Sequence, residues 1–237
     1  MKRSMYRYAW LLLMVLSFSA CKEEEEERVI EKGTVSDVEG NIYVTVKIGD
    51  QWWMAENLKS SKFKDGSDVL LIPASTSNSD WASNELPACT FAIDSIYGFL
   101  YNQAAVQDAR GLAPEGWRIP TDEDWKKLEQ AIGMSAVESG RTGWRGTEEG
   151  IKLASKFSRG WGQGPLYGTD EFGFNAVPAG CRLFDGRRDV SGRTAFWWTS
   201  TSNEDEFWYR YMDASQTEIF RQTTYPNYGL SIRCVKE

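Results

Sequence analysis

Asn41-Ile42-Tyr43-Val44-Thr45-Val46-Lys47-Ile48-Gly49-Asp50-Gln51-Trp52-Trp53-Met54 decides the fold of this chain. Ile42, Val44, Val46 and Ile48 alternate with Asn41, Tyr43, Thr45 and Lys47, the period-two pattern of a half-buried strand. Gly49-Asp50 suits a two-residue hairpin turn, and Gln51 to Met54 returns beside the first strand. Outward toward the N-terminus, Glu39-Gly40-Asn41 is a second turn with Thr34 to Asp37 as the strand before it. Strands return in the last third: Ala195 to Thr201, Phe207 to Met212, Glu218 to Gln222 and Leu230 to Val235. In the last of these, Leu230, Ile232 and Cys234 read as inward, Ser231 and Arg233 as outward.

Between these strands lie helices and long loops. Pro120-Thr121-Asp122-Glu123-Asp124-Trp125 predicts a helix start, with Thr121 as N-cap, an acid at N3, and three acids at the positive end of the dipole. Trp125, Leu128 and Ile132 form its apolar stripe, and Gly133 ends it. Tyr97 to Arg110 and Glu148 to Phe157 read as two further helices. Ser60 to Pro87 and Gly140 to Gly192 read as loops. The prediction is an α+β fold whose mainly antiparallel sheet joins the N- and C-terminal strands, with two or three helices and no second domain.

The chain has 237 residues, 41% of them hydrophobic and 14% aromatic, enough to build one sizeable core. It contains no histidine. Ser-His-Asp and Cys-His nucleophile systems, His-ligated zinc and HExxH chemistry are therefore excluded, and acid–base work would fall to carboxylates, lysines or tyrosines.

The first residues read as an export signal. Lys2, Arg3 and Arg7 make a basic region, and Ala9 to Phe18 is an apolar run too short to span a bilayer. Ser19 and Ala20 directly before Cys21 resemble a lipobox, so residues 1–20 are read as a lipoprotein signal peptide and Cys21 as the acylated first residue. Residues 21–32 then form an acidic tether carrying Glu23 to Glu27, where like charges repel and do not pack. Lys22 followed by acids resembles the export signal of surface-exposed Bacteroidetes-type lipoproteins, which points to the outer membrane. Cleavage removes three positive charges and takes the net charge from −7 to −10. Such a domain repels nucleic acid and anionic headgroups, so the acyl chains must make the membrane attachment. In an oxidising compartment, Cys89, Cys181 and Cys234 suggest one disulfide and one buried thiol.

Six blocks in order carry a resemblance across residues 33–237. Gly40-Asn41-x-Tyr43 through Val46 to Leu58 resembles the opening of the Fibrobacter succinogenes major paralogous (FISUMP) domain. Tyr97-Gly98-x-Leu100-Tyr101-Asn102-x-Ala104-Ala105 and Pro114-Glu115-Gly116-Trp117-Arg118-Ile119-Pro120-Thr121-Asp122 match its next two blocks. Gly173-Phe174-Asn175-Ala176-x-Pro178-Ala179-Gly180, Phe196-Trp197-x-Thr199-Ser200 and Gly229 to Val235 complete it. The resemblance implies a C-type-lectin-like core, with long variable loops over a short sheet, and constrains shape more than activity. Two positions depart from the pattern. Ala113 stands where relatives usually carry cysteine, and Cys181 where an aromatic residue is commoner. That removes a usual partner of Cys234, which then pairs with Cys89 or Cys181 or stays reduced, with Cys89 the preferred partner.

Calcium-dependent lectins of that fold converge several oxygens on the cation. Asn203, Glu204 and Asp205 with Asn227 are the candidate Ca2+ ligands here, although Tyr225-Pro226-Asn227 lacks the carboxylate that precedes Pro-Asn in such lectins. Trp81, Trp144, Trp161 and Tyr167 fall in loop-like segments and are the candidate ligand-binding aromatics, with Arg141, Arg145 and Arg159 placed to stack on Trp144 and Trp161. No enzyme is expected, because Asp122 and Asp124 are accounted for as helix-start acids. The reading is a surface-anchored, non-catalytic recognition domain for a glycan or a protein, the alternative being an accessory subunit of an outer-membrane complex.

Overall fold

A computed structural model of the chain describes residues 29–93, 95–156, 161 and 165–237. Cys21, the tether through Glu27, Phe157 and Arg159 lie outside the described residues. The chain opens with β1 (Lys32–Ser36), β2 (Ile42–Ile48) and β3 (Gln51–Met54), each antiparallel to the one before it. Asp37 closes the first turn, its Oδ1 accepting the backbone N–H groups of Glu39 and Asn41. Gly49, with φ of 58°, supplies the left-handed residue of the second. The last strand, β14 (Val235–Lys236), lies between β3 and β7 (Trp117–Arg118), giving the order β1-β2-β3-β14-β7. Both ends of the domain share one sheet, as the sequence predicts.

A second, wholly antiparallel sheet runs β11 (Thr194–Asn203), β12 (Glu206–Asp213), β13 (Ile219–Thr224) and β8 (Gly143–Arg145). Two smaller sheets carry β4 (Leu70–Leu71), β5 (Ala88–Phe91) and β6 (Phe99–Tyr101), and β9 (Cys181–Arg182) with β10 (Arg188–Asp189). Among the described residues, five short helices accompany the sheets: α1 (Asn78–Ala82), α2 (Gln103–Val106), α3 (Asp122–Ala131), α4 (Ala136–Gly140) and α5 (Glu149–Leu153). The α+β reading holds, with antiparallel pairing dominant.

Helix α3 begins as its sequence dictates. Thr121 Oγ1 accepts the Asp124 N–H at 3.1 Å, and Asp124 Oδ2 accepts the Thr121 N–H at 2.7 Å, a complete capping box. Its apolar stripe packs on the first sheet. Val46, Ile48, Trp53 and Val235 meet Trp125, Leu128 and Ile132 in one cluster. Tyr43, Met54, Cys234, Trp117 and Trp198 form a second cluster. Consecutive residues on a strand point to opposite faces, so Trp53 and Met54 supply different clusters.

This double coverage corrects the reading of β2. Val46 and Ile48 are buried, but Ile42 and Val44 on the same face are 66% and 40% exposed. Tyr43, read as outward, is fully buried; its hydroxyl donates to Asp37 Oδ2 at 2.6 Å and accepts the Lys59 N–H. The two clusters cover opposite faces of β2 at opposite ends, which simple alternation does not encode. The expected Tyr97–Arg110 helix is also corrected. A 3-10 turn at Ser95–Tyr97 leads into β6, and only α2 is helical. Gly98, with φ of 85°, lies so close to Leu58 O that a Cβ would sit 2.6 Å from it, which pins the chain there. Asn102 then caps α2 through the Ala105 N–H. The 60–87 loop contains β4 and α1.

Arg233 is corrected from outward to fully buried. Its guanidinium donates to Asn57 Oδ1 at 2.9 Å and to Phe174 O, and lies 4.2 Å from the Phe174 ring centroid. Amide and carbonyl dipoles and an aromatic face offset its desolvation where a carboxylate partner would otherwise be expected. Burial draws its pKa down to about 9, against the more distant charges of Asp170 and Glu56. Cys89, Cys181 and Cys234 are all free and buried, so the Cys89–Cys234 pairing is not formed. Cys89 is fixed opposite Tyr101 in β5–β6, while Cys234 leads into β14 of another sheet. Burial pushes Cys89 up to about 12 and raises the other two thiols also, leaving all three protonated.

Candidate functional site

The four candidate aromatics do not form one surface. Trp81 is 1% exposed; its Nε1–H donates to Asn227 O at 2.7 Å and the Arg182 guanidinium lies 5.0 Å from its ring. Trp161 is also 1% exposed, in the first cluster, with Nε1–H donating to Ala176 O at 2.8 Å. Both fill space beneath loops, because an indole with a satisfied N–H is a large apolar plug. Tyr167 is 62% exposed on a separate loop. Only Trp144 belongs to a larger aromatic surface.

That surface is built by strand register. Phe196 of β11 pairs with Tyr211 of β12, Tyr211 with Phe220 of β13, and Phe220 with Trp144 of β8. One aromatic residue per strand thus forms a row across the whole second sheet, and every member is only half-buried. Phe196 and Tyr211 stack at 4.4 Å and 15°, while Trp144 lies 5.2 Å from both Tyr211 and Phe220. Tyr209 adds a ring beside Phe196 at 6.2 Å. Phe196 and Tyr209 lean on the rim of the second cluster, and the row continues past it to the β8 edge. Burial and a bond to Asp213 Oδ2 raise the Tyr211 phenol, and burial pushes Tyr209 up to about 12, so both remain neutral hydroxyls.

The opposite face of the same sheet carries arginines. Arg210 and Arg221 pair across β12–β13, and Arg145 follows on β8. All three are buried against α3. Arg145 reaches both Glu129 oxygens at 2.8 Å, Arg210 bridges Glu129 at 2.6 Å and Asp122 at 2.8 Å, and Arg221 grips Asp122 at 2.7 and 2.8 Å. Burial alone would raise Asp122, but the bonds and charges of Arg221 and Arg210 outweigh it and hold this carboxyl well below its usual range. Arg145 therefore does not stack on the tryptophans, and Arg141 forms a surface pair with Glu138 at 3.0 Å.

The candidate calcium ligands are not gathered. Asn203 and Glu206 close the β11–β12 turn, with Glu204 and Asp205 at its tip. The Glu206 carboxylate accepts the Thr223 hydroxyl. Asn227 Nδ2 donates to Phe184 O at 2.9 Å instead of joining them. Among the described residues, no group of three or more Cys, Asp or Glu side chains is arranged to hold a metal ion. No described helix is long and apolar enough to cross a membrane.

Phe196, Tyr209, Tyr211 and Phe220 were not among the candidate residues read from the sequence. Their signal was present in Phe207-Trp208-Tyr209-Arg210-Tyr211-Met212, where the aromatic set at odd positions faces away from Arg210 and Met212. In comparisons with known proteins, no curated protein and no solved structure matches the chain. The profile of the Fibrobacter succinogenes major domain matches residues 46–236, a span that includes the aromatic row, the arginine layer and α3. This chain belongs to the Fibrobacter succinogenes major domain family.

Proposed function

We propose that this chain is a lipid-anchored, surface-facing, non-catalytic recognition domain that docks onto a protein partner through its aromatic row. One observation carries the reading: on the face of the second sheet away from α3, Phe196, Tyr211, Phe220 and Trp144 form a continuous row that stays half-buried, while Ala195, Trp197, Met212 and Ile219 of the other face enter the core beside the paired arginines. Tyrosine, tryptophan and phenylalanine are the side chains enriched at protein interfaces. Attachment through acylated Cys21 at the outer membrane rests on the lipobox-like stretch and the acidic residues after it. A C-type-lectin-like core is supported by the first sheet, which holds the first and last of the described strands, and by the loop-rich segments between them.

A glycan is the weaker occupant on geometric grounds. Sugar rings stack on open aromatic faces, whereas Phe196 and Tyr211 each cover one face of the other. The docking reading also suits an accessory subunit of an outer-membrane complex. A photo-crosslinking residue at exposed Gln222, beside the row on β13, tests it in whole cells. A discrete protein adduct that disappears in the Tyr211→Ala/Phe220→Ala variant supports docking. A glycan-array signal from the same protein with no protein adduct overturns it. Palmitate labelling, lost on Cys21→Ala, and protease shaving of intact cells test the address.

A further inference from the structure

A cleft of about 380 Å³ opens on the β1–β2 side of the first sheet, in the size range of small-ligand sites. None of its lining residues belongs to the second sheet, so it is separate from the aromatic row. One wall is held in an unusual backbone. Asp170 and Asn175 have φ of 44° and 54°, two of three non-glycine residues in the left-handed region among the described residues. Asp and Asn are the non-glycine residues that adopt this conformation most readily, because their short side chains hydrogen-bond the local backbone. The loop is held in this form by Asp170 Oδ1, which accepts the Asn175 N–H at 2.6 Å.

The charges around the cleft divide into engaged and available. Glu56 is engaged, accepting the Val44 N–H at 3.1 Å and bridging Lys59 at 2.6 Å. Arg233 is engaged behind the wall by Asn57 and backbone carbonyls. Asp170 is different: its second carboxylate oxygen takes no hydrogen bond from the described residues. Burial raises its pKa despite the Asn175 bond and the charges of Arg233, Lys156 and Lys32. Lys32 is exposed on edge strand β1, opposite Val46. The same cleft is lined by apolar Val44, Val177 and Ile96.

One available carboxylate, one available ammonium and an apolar wall make a neutral, dipolar site. A purely cationic or anionic ligand would meet one matching charge and one opposing charge. We propose that the cleft binds a small zwitterion of the amino-acid class, its ammonium on Asp170, its carboxylate on Lys32 and its side chain against Val44, Val177 and Ile96.

Equilibrium dialysis of the purified full-length chain against radiolabelled L-leucine tests this directly. Saturable binding is expected, with unlabelled butylamine and butyrate competing at least tenfold more weakly than leucine, and glucose not competing. Asp170→Asn keeps the amide oxygen that receives the Asn175 N–H, and Lys32→Ala removes a surface side chain, so both variants retain the fold. Each should weaken leucine binding about tenfold or more. Absence of saturable leucine binding overturns the proposal. Equal binding by both variants, or full competition by glucose, does so as well.

Discussion

The two faces of the β11-β12-β13-β8 sheet are built from alternate residues of the same strands, yet they follow opposite rules. The face against α3 holds Arg145, Arg210 and Arg221, tied to Asp122 and Glu129 in a buried network. The other holds Phe196, Tyr211, Phe220 and Trp144, half-buried and in mutual contact. Burying three guanidiniums is costly unless every one is paired, whereas leaving aromatics in water forfeits part of the largest available burial term. The difference bears on the proposed roles: the arginine face fixes helix to sheet, and the half-buried aromatic row is the surface proposed to dock a partner.

The sharpest way to break the comparison is to remove an acid from the arginine face. Glu129 is fully buried and bonded to both Arg145 and Arg210. Glu129→Gln keeps the shape, leaves buried Arg145 without a carboxylate and Arg210 with Asp122 alone, and should cost about 3–5 kcal/mol in urea unfolding. Acid should loosen the same face. Asp122 is held below its usual range, so its contribution is complete above the unfolded value of about 4 and is lost as pH falls through the lower folded value. Asp122→Asn should therefore lower stability at neutral pH and flatten the decline of the urea midpoint below pH about 4.

The aromatic face should respond in the other sense, with modest stability loss and a large binding loss. Tyr211 contacts Phe196, Trp144 and Phe220, so Tyr211→Ala should cost about 1–2 kcal/mol in the same unfolding assay, from lost ring contacts and partial burial. Partner crosslinking from Gln222 should meanwhile fall at least tenfold. If Tyr211→Ala destabilises as much as Glu129→Gln while crosslinking persists, the aromatic row is a structural element and the contrast between the faces collapses.

Sequence reasoning reached the frame because it depends on local signals. The Gly49-Asp50 hairpin, the Thr121–Asp124 capping box and the shared sheet of both ends are written in short stretches. It failed where tertiary contacts override local pattern. Arg233 looks outward by alternation, but Asn57 and Phe174 arrive from 176 and 59 residues away to solvate it. Trp81 and Trp161 sit in stretches without periodicity, so nothing local shows that a distant carbonyl and a core face await each. The aromatic row was missed for a related reason. Its members are spread over four strands, and only cross-strand register brings them side by side.

The smallest expected effect lies at the β11–β12 turn, which joins two strands of that sheet and carries the candidate calcium ligands Asn203, Glu204 and Asp205. Glu204 has φ of 56°, a left-handed conformation that strains any residue with a Cβ and that a tight hairpin prefers to fill with glycine. Glu204→Gly relieves that strain but loosens the unfolded chain, so the net gain should be about 0.5 kcal/mol. The same variant removes a carboxylate from the tip. If the turn held calcium, adding the ion would raise the melting temperature of the parent and not of the variant. With Asn227 turned to Phe184 O and no carboxylate cluster formed among the described residues, calcium should leave both melting curves unchanged. A calcium-dependent rise confined to the parent would move the recognition site from the aromatic face to this turn.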